Sequence, residues 1–312
     1  MDGIILVQKP PQITSHDVVD RIRHILNMKK VGHFGTLDPL ATGLLMIAVG
    51  KATRLFPFFQ KLDKTYRGCL RFGFATDTYD SEGMPITAES KDYPTRTDIQ
   101  NAMSAFKGEI DQIPPAYSAK KHKGKRLYTL ARENRKIDIK PSKVVIYSFD
   151  LLGYKPPFLD FEVRCSSGTY IRSIAHDLGQ RLGCGAHLTK LERTEMGRFK
   201  SERSHTLKKL EKLTGERKTE KFLLPLEGIL DEFPKIVLDE NGRTLAKNGN
   251  MISAAHIQTI IHQDNPDTDF KTFGDIYRLF GPDGKLIAFA KKHPKKPGLH
   301  PYLVIDTEVP DE

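Results

Sequence analysis

The densest group of residues that could perform chemistry is the segment Gly32-His33-Phe34-Gly35-Thr36-Leu37-Asp38-Pro39-Leu40-Ala41-Thr42-Gly43. It matches neither G-x-x-x-x-G-K-[ST] nor G-x-G-x-x-G, so its glycines do not indicate a phosphate-binding loop. The proline that follows restricts Asp38 to extended geometry, and the glycines allow another backbone segment to approach closely. With no second acid beside it, Asp38 predicts nucleophilic or single-base chemistry, unlike the paired acids of most glycosidases. The spacing leaves a plain Asp-Pro turn open as the alternative.

Two other groups of reactive side chains carry weaker signals. Cys165, His176, Cys184 and His187 could in principle bind zinc, but their spacing matches no compact zinc knuckle, so we expect no metal. Cys165 falls on the buried face of a predicted strand, where a thiol behaves as a small hydrophobic group. The adjacent Ser15-His16-Asp17 does not predict a catalytic triad, because neighbouring side chains point apart and triad partners meet through the fold.

A basic, loop-rich insert spans residues 114–142. Its cations and the two tyrosines that flank them are Lys120, Lys121, Lys123, Lys125, Arg126, Tyr117 and Tyr128. Such a loop can follow phosphates while its rings stack on bases; a solvated loop with no partner is the alternative. The whole chain has 49 Lys+Arg against 39 Asp+Glu, a net charge of +10. An excess of this size favours nucleic acid as the partner, although charge can also serve solubility alone.

Secondary-structure elements must position these residues, and the first two predicted elements precede the Gly-rich segment. A strand over Ile4–Val7 leads through a Pro-Pro loop to a helix, which Thr14-Ser15-His16-Asp17 begins as a capping box. Further along, apolar and polar residues alternate from Leu159 to Cys165, which predicts a strand with one buried face. The spacing of the apolar residues then changes from every second residue to helical spacing, and this apolar stripe begins at Ile171. Arg172 lies in the first turn of that helix, where a cation opposes the helix dipole and calls for a nearby anion.

The order of the elements indicates the fold class. Strands and helices alternate without a regular βαβ rhythm, so we expect an α+β fold with a mixed, largely antiparallel sheet. A chain of 312 residues exceeds what one core usually serves, and Phe233-Pro234 interrupts a charged, periodic stretch. We therefore expect domains at 1–230 and 231–312. The second is predicted to be small and β-rich, because strand patterns over 276–280 and 286–290 flank Gly281-Pro282-Asp283-Gly284-Lys285.

The compartment follows from what the chain lacks. No run approaches the roughly 18 apolar residues of a membrane span, and the first residues do not resemble a secretion signal. Three cysteines with no C-x-x-C pair do not form a secreted disulfide framework. These features predict a cytoplasmic protein that does not associate with membranes.

Several motifs in order resemble the bacterial TruB family, the tRNA pseudouridine-55 synthases. The motifs that carry this resemblance over about the first 200 residues are Lys9-Pro10-x-x-x-Thr14-Ser15-His16, Gly32-His33-x-Gly35-Thr36-Leu37-Asp38-Pro39-x-Ala41-x-Gly43, Lys64-x-Tyr66, Pro114-Pro115-x-Tyr117-Ser118-Ala119, Gly168-Thr169-Tyr170-Ile171-Arg172-Ser173 and Leu182-Gly183-Cys184-Gly185-Ala186-His187. The resemblance implies a pseudouridine synthase core that isomerises the T-loop uridine of tRNA without a cofactor or metal. By placement and strand content, the C-terminal part resembles the PUA-like RNA-binding domain of that family.

The resemblance also implies roles for individual residues. Asp38 matches the catalytic aspartate of the family, Tyr66 is expected to stack on the target uracil and to serve in proton transfer at C5, and Arg172 is expected to pair with Asp38 and keep it ionised. Whether the carboxylate attacks C1′ or C6, or removes a sugar proton, stays open. The expected base-pocket and support residues are His33, Tyr170, Leu191 and Lys9: Tyr170 and Leu191 line the pocket, His33 occupies the space of the flipped base or helps to extrude it, and Lys9 supports the active-site floor.

The remaining expectations concern partners and one departure from the family pattern. The insert is expected to clamp the T stem-loop of tRNA, and the C-terminal domain to reach toward the acceptor end. We expect a monomer with no obligatory protein partner. Phe34 is bulkier than the small residue expected beside the motif histidine, which leaves the packing of His33 open.

Overall fold

The computed structural model describes residues 1–115, 139–261 and 275–306, and the backbone of 121–122 and 125–126. The strands of its first part are β1 (Gly3–Lys9), β2 (Val31–His33), β3 (Thr42–Val49), β4 (Lys64–Phe72), β5 (Gly108–Gln112), β6 (Lys121–His122), β7 (Lys125–Arg126), β8 (Ser142–Lys155), β9 (Phe158–Cys165), β10 (Ala186–Met196), β11 (Phe199–Lys200) and β12 (Leu223–Pro225). Those of its second part are β13 (Lys235–Leu238), β14 (Ile257–Ile261), β15 (Ile276–Phe280), β16 (Leu286–Lys292) and β17 (Leu299–Val304). The helices are α1 (Ser15–Leu26), α2 (Phe56–Phe59), α3 (Arg96–Ser104), α4 (Ile171–Arg181), α5 (Leu207–Gly215) and α6 (Glu240–Lys247).

A large sheet forms the first part, in the order β12-β1-β3-β10-β4-β9-β8-β5. β2 pairs with β3 and β11 with β10 at its margins. β3 and β10 run parallel, and the other pairs are antiparallel. The prediction of an α+β fold with a mixed, largely antiparallel sheet is confirmed. Because β3, β10 and β4 lie side by side at its centre, the segments that enter and leave them meet there.

A second sheet, in the order β14-β13-β15-β16-β17, forms the C-terminal part. The predicted hairpin is present, with β15 and β16 antiparallel, and the C-terminal part is β-rich as expected. The chain passes from the first sheet to the second between Pro225 and Lys235. A domain boundary at residue 230 stays a prediction.

The helices begin where the sequence indicates. Thr14 caps α1, where its hydroxyl accepts from the Asp17 N–H and the Asp17 carboxylate accepts from the Thr14 N–H. This is the predicted capping box, so the apolar stripe of α1 packs against the sheet from a fixed starting point. α4 begins at Ile171, as the change of period predicts.

Two apolar clusters lie on the large sheet. The first holds the buried faces of α1 and α4, with Tyr66 and Leu191 at its edge. The second continues into the C-terminal sheet, because Phe58 and Phe59 pack in one cluster with Phe233 and Phe289. The two sheets therefore share apolar packing. No helix in the described ranges is long and apolar enough to cross a membrane.

Candidate active site

The loop that carries Asp38 joins β2 to β3, and Lys9 fixes it from below. The Lys9 side chain is fully buried, and its Nζ donates to the carbonyls of Ala41 at 2.7 Å and Pro39 at 3.2 Å. Burial lowers the pKa of Lys9 to about 8. A buried ammonium needs such acceptors. Lys9 thus binds the backbone of the loop on the C-terminal side of Asp38, and its role in the active-site floor stays a prediction.

Ser15 holds the other side of the same loop. Its hydroxyl donates to the Leu37 carbonyl at 3.1 Å and accepts from the Leu37 N–H at 2.8 Å, and Ser15 is buried. The backbone N–H of Gln12 adds a bond to the Pro39 carbonyl at 2.8 Å. Both chain neighbours of Asp38, Leu37 and Pro39, are therefore held by hydrogen bonds to the segment that begins α1.

Asp38 faces the guanidinium of Arg172. Nε lies 2.8 Å from Oδ2, and Nη2 donates to Oδ1 at 3.1 Å, so the guanidinium is close to both carboxylate oxygens. Arg172 is 5% exposed and the Asp38 side chain 36% exposed, which leaves one side of the carboxylate open. The anion that the first turn of α4 calls for is therefore Asp38.

A second carboxylate shares this arginine. Nη1 of Arg172 lies 3.4 Å from Oδ2 of Asp80 and donates to the Thr78 carbonyl at 3.1 Å. Asp80 is buried, and its Oδ1 accepts from the Thr78 hydroxyl at 2.6 Å and from the Glu82 N–H at 3.1 Å. The expectation that Asp38 works with no second acid nearby needs this correction, since one guanidinium joins Asp38 to a buried carboxylate.

A cavity of about 280 Å³ opens beside Asp38. Its walls include Asp38, Lys64, Tyr66, Tyr170, Leu191 and Arg193. This volume is just below the roughly 300–1,000 Å³ of typical small-molecule pockets. Tyr66, Tyr170 and Leu191, which come from three different elements, therefore line one space with the aspartate.

Tyr66 and Arg193 are direct neighbours across the β4–β10 pair. Opposed residues on antiparallel strands point to the same face, so both side chains reach the cavity. Burial raises the pKa of Tyr66, and the positive charge of Arg193 acts in the opposite direction. At neutral pH the Tyr66 side chain is thus a phenol against an arginine.

Two glycines of the aspartate segment make room for the Arg193 strand. Gly43 has φ +95°, and a Cβ there would lie 2.4 Å from the Arg193 carbonyl oxygen. Gly35 has φ +119°, and its carbonyl accepts from Arg193 Nη2 at 3.1 Å. Both φ values favour glycine, and at Gly43 the close backbone approach that the sequence predicts is present.

Lys64 is the other cation of the cavity wall. Its Nζ donates to the carbonyls of Gln60, at 2.9 Å, and Leu62, which close the turn between α2 and β4. Burial lowers its pKa to about 7, and the nearby Arg193 charge acts in the same direction.

Tyr170 is positioned through its backbone. The amide of Gln112, which is buried at the end of β5, donates to the Tyr170 carbonyl at 2.9 Å and accepts from the Tyr170 N–H at 2.8 Å. Ser173 adds a bond to the Ile113 carbonyl at 3.1 Å. The cavity wall is therefore tied to the residues that lead into the basic insert.

His33 and Phe34 point away from each other. Phe34 is buried and stacks on Phe59, with ring centroids 4.6 Å apart, inside the second apolar cluster. His33 stays half-exposed, and burial and the Arg193 charge lower its pKa. The bulk of Phe34 therefore occupies the core and takes no room from His33.

The other sequence candidates lie elsewhere. Lys120 and Lys123 are outside the described residues, and only the backbone is described at Lys121, Lys125 and Arg126. The clamping role of the insert stays a prediction. Of the potential zinc ligands, Cys165 and Cys184 are buried, and His187 bonds the Phe74 carbonyl at 3.0 Å.

Sequence reasoning missed four residues of the site: Asp80, Arg193, Lys64 and Gln112. Asp80 lies in an acidic stretch that predicts only a turn. Arg193 becomes a neighbour of Tyr66 only through the pairing of β4 with β10. Lys64 belongs to the Lys64-x-Tyr66 motif, and this motif is its one signal in the sequence.

Family models match most of the first part of the chain. Residues 23–171 match the N-terminal domain of TruB family pseudouridylate synthases, and residues 172–231 match the tRNA pseudouridylate synthase B C-terminal domain. Proteins named tRNA pseudouridine synthase B are similar over most of their length. That of Solibacter usitatus is 44% identical over 82% of this chain and 87% of its own, and that of Clostridium tetani is 44% identical over 80% and 85%.

Solved structures agree with this result. The chain is similar to one in a Cbf5-Nop10-Gar1 complex, with a TM-score of 0.72, 27% identity, and coverage of 98% of this chain and 85% of the other. It is also similar to one in an H/ACA RNP bound to a substrate RNA containing 2′-deoxyuridine, with a TM-score of 0.71, 25% identity, and coverage of 97% and 85%.

Proposed function

The chain belongs to the TruB family of pseudouridylate synthases, and we propose that it isomerises the T-loop uridine at position 55 of tRNA to pseudouridine. That it forms pseudouridine in tRNA follows from its similarity to the named synthases over most of their length. The observation that best supports this site as the place of the isomerisation is the Asp38–Arg172 pair beside a cavity lined by Tyr66, Tyr170 and Leu191, and position 55 rests on the resemblance of the motifs to the family.

Asp38 provides the carboxylate that the reaction requires. The bond from N1 to C1′ breaks and a bond from C5 to C1′ forms, so a group must hold the sugar or the base while the uracil turns. The fixed loop keeps Asp38 in place, and Arg172 directs both carboxylate oxygens. Attack at C1′, attack at C6 and removal of a sugar proton each use this same carboxylate.

The target nucleotide reaches Asp38 by flipping out of the stack. A uridine stacked within a folded loop cannot present both ring faces and its sugar to a carboxylate in a cavity. Tyr66 then stacks on the uracil and serves proton transfer at C5, Tyr170 and Leu191 close the pocket, and His33 fills the space that the base has left. The buried walls of the pocket also limit how much water reaches the intermediate.

The rest of the molecule holds the RNA. We expect the insert over residues 114–142 to clamp the T stem-loop and the PUA-like C-terminal part to reach toward the acceptor end. The excess of positive charge supports both contacts, because phosphate binding releases counterions.

The proposal includes no cofactor, metal or obligatory protein partner, and places the enzyme in the cytoplasm as a monomer. The similar structures include complexes of Cbf5 with Nop10 or with Nop10 and Gar1, whereas we propose that this chain acts without such partners. Light scattering of the purified protein with and without tRNA tests the monomer. Activity after EDTA treatment tests the absence of a metal.

The position within tRNA is tested by mapping pseudouridine at single-nucleotide resolution. The substrates are an unmodified tRNA transcript, the same transcript with the T-loop uridine changed to cytidine, and the isolated T stem-loop. We expect one product site, in the T loop, that the cytidine change abolishes and the stem-loop retains. Product at another position, with the T loop unmodified, would contradict the proposal.

A further inference from the structure

Arg193 is a buried cation without a carboxylate partner in the described part of the chain. It is 1% exposed, Nε donates to the Leu44 carbonyl at 2.8 Å, and Nη2 donates to the Gly35 carbonyl at 3.1 Å. Arg172, the other arginine at the site, contacts two carboxylates. The hydrogen bonds of this buried guanidinium go only to carbonyl oxygens, so a negative charge that develops beside it during the reaction would be stabilised.

The group that can develop this charge is the Tyr66 hydroxyl. Residues 193 and 66 are directly opposed in the β4–β10 pair, so their side chains lie on the same face of the sheet, and the Arg193 charge opposes the effect of burial on the pKa of Tyr66. Both line the same cavity as Asp38. The two bonds to Leu44 and Gly35 hold the guanidinium at the wall of the cavity that Tyr66 also lines.

The last step of the reaction needs a base at this place. After the uracil has turned, C5 carries the new bond to C1′ and its original hydrogen, and the ring has an N1=C6 double bond. A phenolate takes that hydrogen as a proton, the C5–H electron pair forms the C5=C6 double bond, and the N1=C6 pair moves to N1, which takes a proton from water. The phenol has beforehand lost its own proton to water, so the tyrosine ends the cycle unchanged.

We propose that Arg193 is a positioning residue that stabilises the Tyr66 phenolate while this oxygen removes the C5 proton. The inference rests on the proposed function, since it assigns an electrostatic partner to Tyr66 within that reaction. The effect has the form of an oxyanion hole, in which a fixed cation stabilises negative charge in a buried site without reorganising.

Two other buried cations near the site, Lys64 and Lys9, make different contacts. Lys64 directs its Nζ to the carbonyls of Gln60 and Leu62, which close a turn. Lys9 binds the carbonyls of the aspartate loop from below. Arg193 is the one of the three that is opposed to Tyr66 in the sheet.

The test is a kinetic isotope effect at C5. Single-turnover rates of pseudouridine formation are measured with transcripts that contain ordinary uridine or uridine deuterated at C5. For Arg193→Met we expect a rate roughly 10–100-fold below wild type, the scale of a weakened general base. We also expect the ratio of the rate with ordinary uridine to the rate with deuterated uridine to be larger than in wild type, because breaking the C5–H bond becomes slower relative to the earlier steps. Arg193→Lys keeps a positive charge but not the planar guanidinium, so its rate and its isotope effect should lie between those of wild type and Arg193→Met.

The matched control is Arg278→Met. Arg278 is likewise buried and donates to backbone carbonyls, those of Phe233, Glu227 and Asp231, but it lies in the C-terminal part. Its loss should leave the isotope effect at the wild-type value. Circular dichroism and tRNA affinity confirm that each variant is folded, and Arg193→Lys carries the test if Arg193→Met does not fold.

The outcomes separate the two proposals. A wild-type protein that makes no pseudouridine contradicts the proposed function itself. An active wild type with an unchanged isotope effect in the folded Arg193 variant, whether or not its rate falls, overturns the role of Arg193.

Discussion

Replacing Arg172 by methionine removes the group that joins two carboxylates across the site. The guanidinium contacts Asp38 at 2.8 and 3.1 Å, Asp80 at 3.4 Å and the Thr78 carbonyl at 3.1 Å, and it is 5% exposed. Methionine retains much of the apolar stem and none of these contacts. The variant leaves the Asp80 carboxylate buried without a cation, and we expect a large loss of stability.

The magnitude follows from the two carboxylates. Removing one partner of a buried ion pair costs about 3–5 kcal/mol in free energy of unfolding. The lower end applies here, since the Asp38 side chain is 36% exposed to water and Asp80 keeps its bonds from Thr78 and Glu82. At about 2–4 °C per kcal/mol, a loss of about 3 kcal/mol lowers the melting temperature by roughly 6–12 °C.

The assay is a double-mutant cycle by thermal and urea unfolding, with wild type, Arg172→Met, Asp80→Asn and the double variant. A neutral amide at residue 80 needs no cation, so the double variant should lose at least about 1 kcal/mol less than the sum of the single losses. Arg67→Met is the control: its pair with Glu162 is 2.7 Å long but the arginine side chain is 63% exposed, and we expect less than about 1 kcal/mol. An Arg172→Met loss as small as that of the control, or strict additivity with Asp80→Asn, would refute this account of the site.

Three further predictions concern neighbouring positions. Phe34→Ala removes the ring that stacks on Phe59 and should lower the free energy of unfolding by about 3–5 kcal/mol; a loss under about 1 kcal/mol would place the ring outside the core. Because burial lowers the pKa of Lys64 from 10.5 to about 7, the unfolded chain binds more protons between these values, and stability gains from rising pH. Urea unfolding at pH 7 and pH 9 should therefore show a larger gain in wild type than in Lys64→Met, and equal gains would contradict the assigned burial. Gln112→Leu leaves the Tyr170 N–H and carbonyl without these partners and should cost about 1–3 kcal/mol, with a lower single-turnover rate and unchanged tRNA affinity; a wild-type rate would show that the pocket wall does not depend on the amide.

The local signals of the sequence predict the elements well. The Thr14–Asp17 capping box, the change of period at Ile171 and the hairpin around 281–285 all lie where their residue types indicate. The anion that Arg172 calls for is also present, because a cation in the first helical turn is a local electrostatic conflict that the fold must resolve. Such signals need only residue spacing.

The features that sequence reasoning missed depend on pairing between distant segments. Tyr66 and Arg193 become neighbours through a register that contains two irregularities, between Leu188 and Lys190 and between Arg193 and Glu195. A one-residue slip in a strand reverses the face of every side chain, so no local pattern identifies this pair. Asp80 shares Arg172 with Asp38 only because its loop also pairs with β10, through the bridge between Asp80 and Leu188.

The most direct test of the central claim is the single-turnover formation of T-loop pseudouridine by Asp38→Asn. Asparagine is nearly isosteric, and Arg172 keeps its contact with Asp80, so the variant should fold and should bind tRNA with wild-type affinity. The exposed Asp150→Asn, which makes the same change of charge in a pair with Lys107, serves as the control. We predict full activity for the control and no detectable pseudouridine for Asp38→Asn at wild-type affinity. Product formation by Asp38→Asn at the wild-type rate, or loss of tRNA binding together with product, would contradict a catalytic role for this carboxylate.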